Sequence, residues 1–319
     1  MRFVLFLFAL TALGAAPPRR LPVDAANDAS VERPLRRNAS GPAVLRAQIL
    51  LDRARFSSGE LDASYGNNLE QAVTGFREAR GLPPGAGIDA DVWKALDSDT
   101  APVLFPYQLT AADVAGPFEK IPTEMEAKAK LPAMTYESAL ERIAEKFHVN
   151  PTLLTRLNPG KAWTEADTEI LVPNVLVQPV AGKATKVVVT GSTHTVQAFD
   201  AEGKVLASYP ATVGSEHDPL PLGTWAVTAV DRNPVFFYNS DLFWDANEKH
   251  AKAKIPAGPN NPVGVVWIGL TKEHYGIHGT PEPGTIGHTQ SHGCIRLTNW
   301  DASDLARMVG KGTEVILTQ

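Results

Sequence analysis

Cysteine is almost absent: the 319-residue chain holds one, Cys294. A lone cysteine excludes an intramolecular disulfide, so the thiol is either a small buried residue or a working group. Positive charge is also short. Lys and Arg number 30 against 35 Asp and Glu, a formal net charge of −5, and no long basic run offsets it, which argues against nucleic acid as a partner. Long hydrophobic runs are missing beyond the N-terminus. The run there, Phe3 to Leu13, has eleven residues, short of the roughly 20 a membrane span needs. Arg2 precedes it and Gly14-Ala15-Ala16 follow, the pattern of a secretory signal over residues 1–16. The expectation is an exported chain with no membrane span once that signal is removed.

What is present is enough for real cores. Hydrophobic residues make up 44% of the chain, and a prior of about 150 residues per domain gives two or three domains. Residues 17–40 mix Pro, Arg, Asp, Asn and Ala without apolar periodicity and read as a flexible tether. From Gly41 the pattern becomes helical. Leu45 and Ile49, then Leu69, Val73 and Phe76, then Val92, Trp93 and Leu96 recur at helix spacing, with Gly81 as a stop and Asp89 as a cap. This predicts a small three-helix bundle over 41–98. Residues 99–131 are proline-rich and read as linker. Over 132–178, Leu140, Ile143, Ala144 and Phe147 mark one helix. Pro151 opens a second with Leu153, Leu154 and Leu157 on one face, and Thr168 to Val172 forms a short β run. Beyond residue 184 the chain turns to strands separated by turn residues, which predicts a β-sandwich or barrel-like sheet with one helix from about Asp301 to Met308. The fold class is multidomain α+β.

The chemistry gathers around the cysteine. His278 stands sixteen positions before Cys294 and His292 two before it, and a thiol becomes a nucleophile when a base or positive charge lies beside it. Attack on an amide also needs a base that returns a proton to the leaving amine, and donors for the oxyanion. Gly293 permits a tight turn that aims its own N–H and that of Cys294 at the oxyanion. Ser291 reads as a turn hydrogen-bonder. Arg296 either binds a substrate carboxylate or braces the loop. Metal binding competes, since His274, His278, His288, His292 and Cys294 are N and S ligands within 21 residues. But Tyr275-Gly276-Ile277-His278-Gly279 is not helical, so the His274/His278 spacing puts no pair on one face. Neither metal nor cofactor is expected. The aromatic run Phe236-Phe237-Tyr238 with Phe243-Trp244 lines a cleft or fills the core.

Three stretches resemble known families. Phe76-x3-Arg80-Gly81-Leu82 and Asp89-x3-Trp93-x2-Leu96 resemble the three-helix peptidoglycan-binding domain of bacterial cell-wall enzymes. Residues 132–178 resemble a LysM module, a small βααβ glycan-binding fold, without its usual Gly-Asp-Thr signature. "HGTPEPGTIGHTQSHGCIRL", with "YPATVGS", "PLPLGTW", "GPNNPVG" and "TNWDASDLA", resembles the L,D-transpeptidase catalytic domain of YkuD type over 184–319. That last resemblance implies Cys294 as nucleophile and His278 as base, with a backbone carbonyl near Gly279 and Thr280 orienting the imidazole. His292 shapes the site or contacts substrate, and its serving as the base is the alternative. It further implies a periplasmic monomer acting on peptidoglycan stem peptides and glycan strands, forming 3→3 cross-links through a thioester and open to trapping by a carbapenem. An L,D-carboxypeptidase, a protein-to-peptidoglycan attachment enzyme and a wall-binding structural protein are the alternatives.

Overall fold

The computed structural model describes residues 23–175, 183–242, 252–291 and 293–319. The expected signal segment, His292 and the pair Phe243-Trp244 lie outside the described residues. The chain opens with α1 (Val23–Asn27), α2 (Pro42–Arg53), α3 (Asn67–Ala79) and α4 (Ala90–Leu96). Their inward faces are the residues at helical spacing: Leu45, Ile49, Leu69, Val73, Phe76, Val92 and Leu96 are all buried. Pro42 sits in the first turn of α2, where its missing N–H costs nothing, and the Asp89 carboxylate accepts from the Val92 N–H to cap α4.

The expected tether over 17–40 is not free from residue 23 onward. Leu35 is buried and exchanges both backbone hydrogen bonds with Ile88, the Trp93 indole donates to the Arg33 carbonyl, and Arg46 pairs with Glu32. A single well-placed leucine anchors a segment whose composition shows no periodicity.

The expected linker over 99–131 also needs correction. It carries β1 (Leu104–Gln108), α5 (Ala111–Val114) and α6 (Met125–Lys128), ahead of α7 (Ala139–Lys146), α8 (Pro151–Leu157) and β2 (Glu169–Pro173). Strand β1 pairs antiparallel with β2, Phe105 opposite Val172. Pro106 hides the strand in the sequence, yet an edge strand tolerates proline because one side needs no ladder bond. The unit bounded by these two strands, with four helices between them, therefore spans 104–173 rather than starting at 132. One continuous core joins this middle unit to the helical one, running from Leu45 and Phe76 through Leu104 to Phe147 and Leu154. Units of about 60 residues bury too little surface to be robust alone, and sharing a core relieves that.

The rest of the chain forms β3 (Lys186–Thr190), β4 (Thr195–Phe199), β5 (Val205–Pro210), β6 (Gly223–Arg232), β7 (Phe236–Tyr238), β8 (Ala253–Ile255), β9 (Val266–Leu270), β10 (Gly276–His278), β11 (Ile295–Arg296), α9 (Asn299–Met308) and β12 (Glu314–Thr318). Eight strands make one sheet in the order β11-β10-β9-β6-β12-β3-β4-β5. The expected sandwich-like layering is instead a single curled sheet. Ten-residue β6 pairs with β12 through its first half and with β9 through its second, with a bulge between Val227 and Ala229 that bends it. The two edges then meet: Thr212, just after β5, exchanges backbone bonds of 3.0 and 2.9 Å with Arg296 of β11. Leu305, Ala302 and Met308 of α9 bury against this sheet's core.

Strands β7 and β8 form a separate hairpin, seated by Tyr238 and Ile255 on Met134 of the middle unit, while Phe237 projects into solvent. The helical unit docks on the sheet's other end. The Ser57 N–H donates to the Ser208 carbonyl at 3.0 Å, and the Ser208 N–H donates to the Arg55 carbonyl at 2.8 Å, which extends β5 by one short strand.

Candidate active site

Strand alternation decides which side chains meet. Strands β10 and β11 run parallel with Ile277 opposite Ile295 and His278 opposite Arg296. Both isoleucines are fully buried and define the inner face. With a period of two, Gly276, His278, Cys294 and Arg296 share the opposite face. Cys294 continues β11 backward to sit beside Gly276, so it lies diagonally from His278.

His278 is buried, its ring stacked on Trp267 at 5.4 Å between centroids with 18° between planes. Trp267 is its register partner on β9. Burial, reinforced by the Arg296 guanidinium, pushes the imidazole down to about 3, against the opposing pull of the Gly279 carbonyl. The ring is therefore neutral at physiological pH. Its Nδ1 lies 2.7 Å from the Gly279 oxygen. A carbonyl only accepts, so the proton resides on Nδ1 and Nε2 is left as the basic nitrogen.

Burial raises the Cys294 thiol, while the Gly276 N–H and Arg296 pull it back toward ionisation. The resting pair is thus thiol and neutral imidazole. Cys294 Sγ lies 3.7 Å from the His274 carbonyl. The turn before it is held from two sides. The Ser291 hydroxyl donates to the Cys294 carbonyl at 2.6 Å, and its N–H donates to Gly214 at 3.1 Å. Gly293 has φ +93°, and a Cβ there would stand 2.8 Å from the Tyr275 ring. The turn needs glycine on both counts.

The remaining sequence-predicted residues sort by position. Arg296 is locked at its backbone by Thr212 and projects its charge on both His278 and Cys294. Thr280 is buried and accepts from the Glu282 N–H, shaping the loop after the histidine. Gly279 leaves room for the Asn299 carboxamide, which would lie 2.2 Å from a Cβ. The His274 and His288 side chains are exposed, and His274 meets Cys294 through its backbone carbonyl. Among the described residues no three His, Cys, Asp or Glu side chains converge as a metal site. Sequence reasoning missed Trp267, Tyr275, Thr212 and Asn299. Thr212 and Asn299 had a signal, since they lie within the "YPATVGS" and "TNWDASDLA" stretches.

Residues 184–317 match the family described as the L,D-transpeptidase catalytic domain, and residues 40–96 match a peptidoglycan binding domain. The YkuD protein of Bacillus licheniformis is 30% identical over 181 residues, covering 56% of this chain and 93% of that one. The Bacillus subtilis YkuD is 28% identical over 191 residues, 58% of this chain and 99% of that protein. A crystal structure of an L,D-transpeptidase from Xylanimonas cellulosilytica aligns over 90% of this chain and 98% of that one, at 17% identity and a TM-score of 0.36.

Proposed function

The chain belongs to the L,D-transpeptidase family, and from that premise we propose that it forms 3→3 cross-links in peptidoglycan through a thioester on Cys294. The Cys294 sulfur attacks the carbonyl joining the third, diamino acid residue of a tetrapeptide stem to D-Ala. His278 Nε2 takes the thiol proton as the C–S bond forms, then gives it to the departing D-Ala amine as the C–N bond breaks. The side-chain amine of a second stem attacks the thioester, His278 accepts the proton it loses, and the sulfur leaves with a proton restored. The N–H groups of Gly293 and Cys294 receive the oxyanion at each tetrahedral stage.

The observation that carries this reading is the shared face of β10 and β11, with a neutral imidazole whose Nε2 is left basic by the Gly279 carbonyl. A preformed thiolate is not required, because the base acts during attack, a contribution of roughly 10²–10⁴ in rate. The peptidoglycan binding domain tethers the enzyme to an immobile polymer and raises the effective concentration of stems. Among the described residues no helix is long and apolar enough to cross a membrane. Export to the periplasm and action as a monomer complete the proposal.

Purified disaccharide-tetrapeptide incubated with the protein and read by mass spectrometry tests it, with Cys294→Ala as control. A dimer lacking one D-Ala is expected. A tripeptide monomer would make the enzyme a carboxypeptidase, and unchanged substrate with folded protein would overturn the reading. Loss of turnover in His278→Ala but not in His292→Ala identifies the base.

A further inference from the structure

The middle unit reaches into the catalytic domain through α7. Two glutamates one turn apart on that helix, Glu141 and Glu145, share a face at i,i+4 spacing. Each meets an asparagine of the catalytic domain. Asn260 Nδ2 donates to Glu141 at 2.8 Å and to the Thr135 carbonyl at 2.9 Å, and Asn299 Nδ2 donates to Glu145 Oε2 at 3.0 Å. Glu145 Oε1 in turn accepts from the Tyr136 hydroxyl at 2.8 Å, so the carboxylate is fixed from its own side.

Asn299 is almost fully buried, and both of its amide hydrogens and its oxygen are hydrogen-bonded. Its other amide hydrogen goes to the Pro259 carbonyl at 3.1 Å, and its oxygen accepts from the Val265 N–H at 3.1 Å. That oxygen is wedged between two glycines: a Cβ on Gly264 would lie 2.0 Å from it and one on Gly279 2.2 Å. Two backbones have given up side chains to admit one carboxamide. One of them is Gly279, whose carbonyl orients the His278 ring.

We propose that Glu145 is a positioning residue for the transfer reaction, holding Asn299 from across the interface and, through it, the Gly279 carbonyl that sets the tautomer and aim of His278. The middle unit then completes the catalytic site as well as linking it to the helical unit. This rests on His278 being the base. Without the Glu145 carboxylate, one buried Asn299 N–H loses its acceptor, the carboxamide is free to turn, and the 278–279 peptide loses the wedge behind it. Small displacements of a catalytic group cost rate without loosening substrate binding.

The test uses the full-length protein with ¹⁵N-labelled histidine, steady-state transfer on disaccharide-tetrapeptide, and thermal melting. Glu145→Ala should lower kcat roughly 10- to 100-fold with KM little changed, and should convert the His278 imidazole from the Nδ1-protonated form to a mixture of tautomers. Glu145→Gln should restore most of the rate, since its amide oxygen accepts the same N–H. If Glu145→Ala does not fold, Glu145→Asp, shorter by one methylene, should show the same kcat loss. Wild-type kcat in the variant that folds, or an unchanged His278 ¹⁵N signature beside a lowered melting temperature, overturns the proposal. Full activity in His278→Ala would instead remove the assignment of the base, whatever Glu145 does.

Discussion

His278 and Arg296 stand side by side on the parallel strands β10 and β11, and that adjacency helps keep the imidazole neutral. Arg296→Gln removes the charge and keeps a shorter polar side chain. The imidazole, held at about 3 by burial and then by Arg296, should rise while staying below its ordinary value, because burial persists. Cys294 loses a group that favours its thiolate, so its already raised pKa should rise further. Both limbs of the pH profile for carbapenem acylation should therefore move to higher pH. An acidic limb that stays in place would show that Arg296 does not act on the base.

Gly293→Ala should damage activity more than stability. The residue sits at φ +93° and its new Cβ would press on the Tyr275 ring, a strain of about 1–3 kcal/mol. Relieving it shifts the oxyanion turn, with an expected rate loss on the order of 100-fold. The melting temperature should fall by only a few degrees. Adding Tyr275→Ala removes the collision but not the unfavourable φ, so recovery should be partial.

Stability should fall as pH rises from about 4 to about 8. In the folded chain Asp301 is raised to about 8 and Glu145 to about 7, both chiefly by burial. Each keeps a proton that the unfolded chain releases from near pH 4 upward, so each loses stability as pH climbs toward those values. His148, raised by Asp52, Asp301 and Asp304 against the effect of its own burial, acts in the same direction: its contribution is full below its ordinary 6.5 and disappears as pH passes its folded value. His278 opposes them only at low pH, its contribution being lost as pH falls from 6.5 toward 3. Asp301→Asn copies the protonated carboxyl and can still accept from the Ser57 hydroxyl. Its melting temperature should match wild type near pH 3, below the ordinary carboxylate value, and exceed it near pH 9, measured by calorimetry across that range. Parallel curves would sink the attribution to Asp301.

The docking of the helical unit can be weakened at one atom. Ser208→Pro deletes the N–H that bonds Arg55 and leaves the β4–β5 ladder untouched, since that N–H faces away from β4. Leaving the half-buried Arg55 without this bond costs about 1 kcal/mol. Limited proteolysis should cut faster between residues 53 and 60, and melting should separate into two steps.

Part of this was legible before any coordinates. The faces of α2, α3, α7 and α8 followed from leucine, isoleucine and valine at helix spacing, because helical contacts are local. The lone cysteine and the histidine before it marked the candidate site. Strand β1 was not legible, because Pro106 and proline-rich flanks read as linker, and the partner that makes it a strand lies more than 60 residues away at β2. The anchoring of Leu35 by Ile88 is equally remote. Asn299 lay outside the helix expected from about Asp301, and its wedge between Gly264 and Gly279 joins the first residue of α9 to two upstream segments.

The sequence by itself determined the family, the residue types at the centre and the helical faces. Each of these depends on residue identity or on neighbours within a few positions. Tertiary structure alone decided that Ile277 and Ile295 turn inward, and so that His278, Cys294 and Arg296 turn the other way together. It also decided that thiol and imidazole rest uncharged, because burial and a neighbouring guanidinium are properties of the folded interior that no single strand carries.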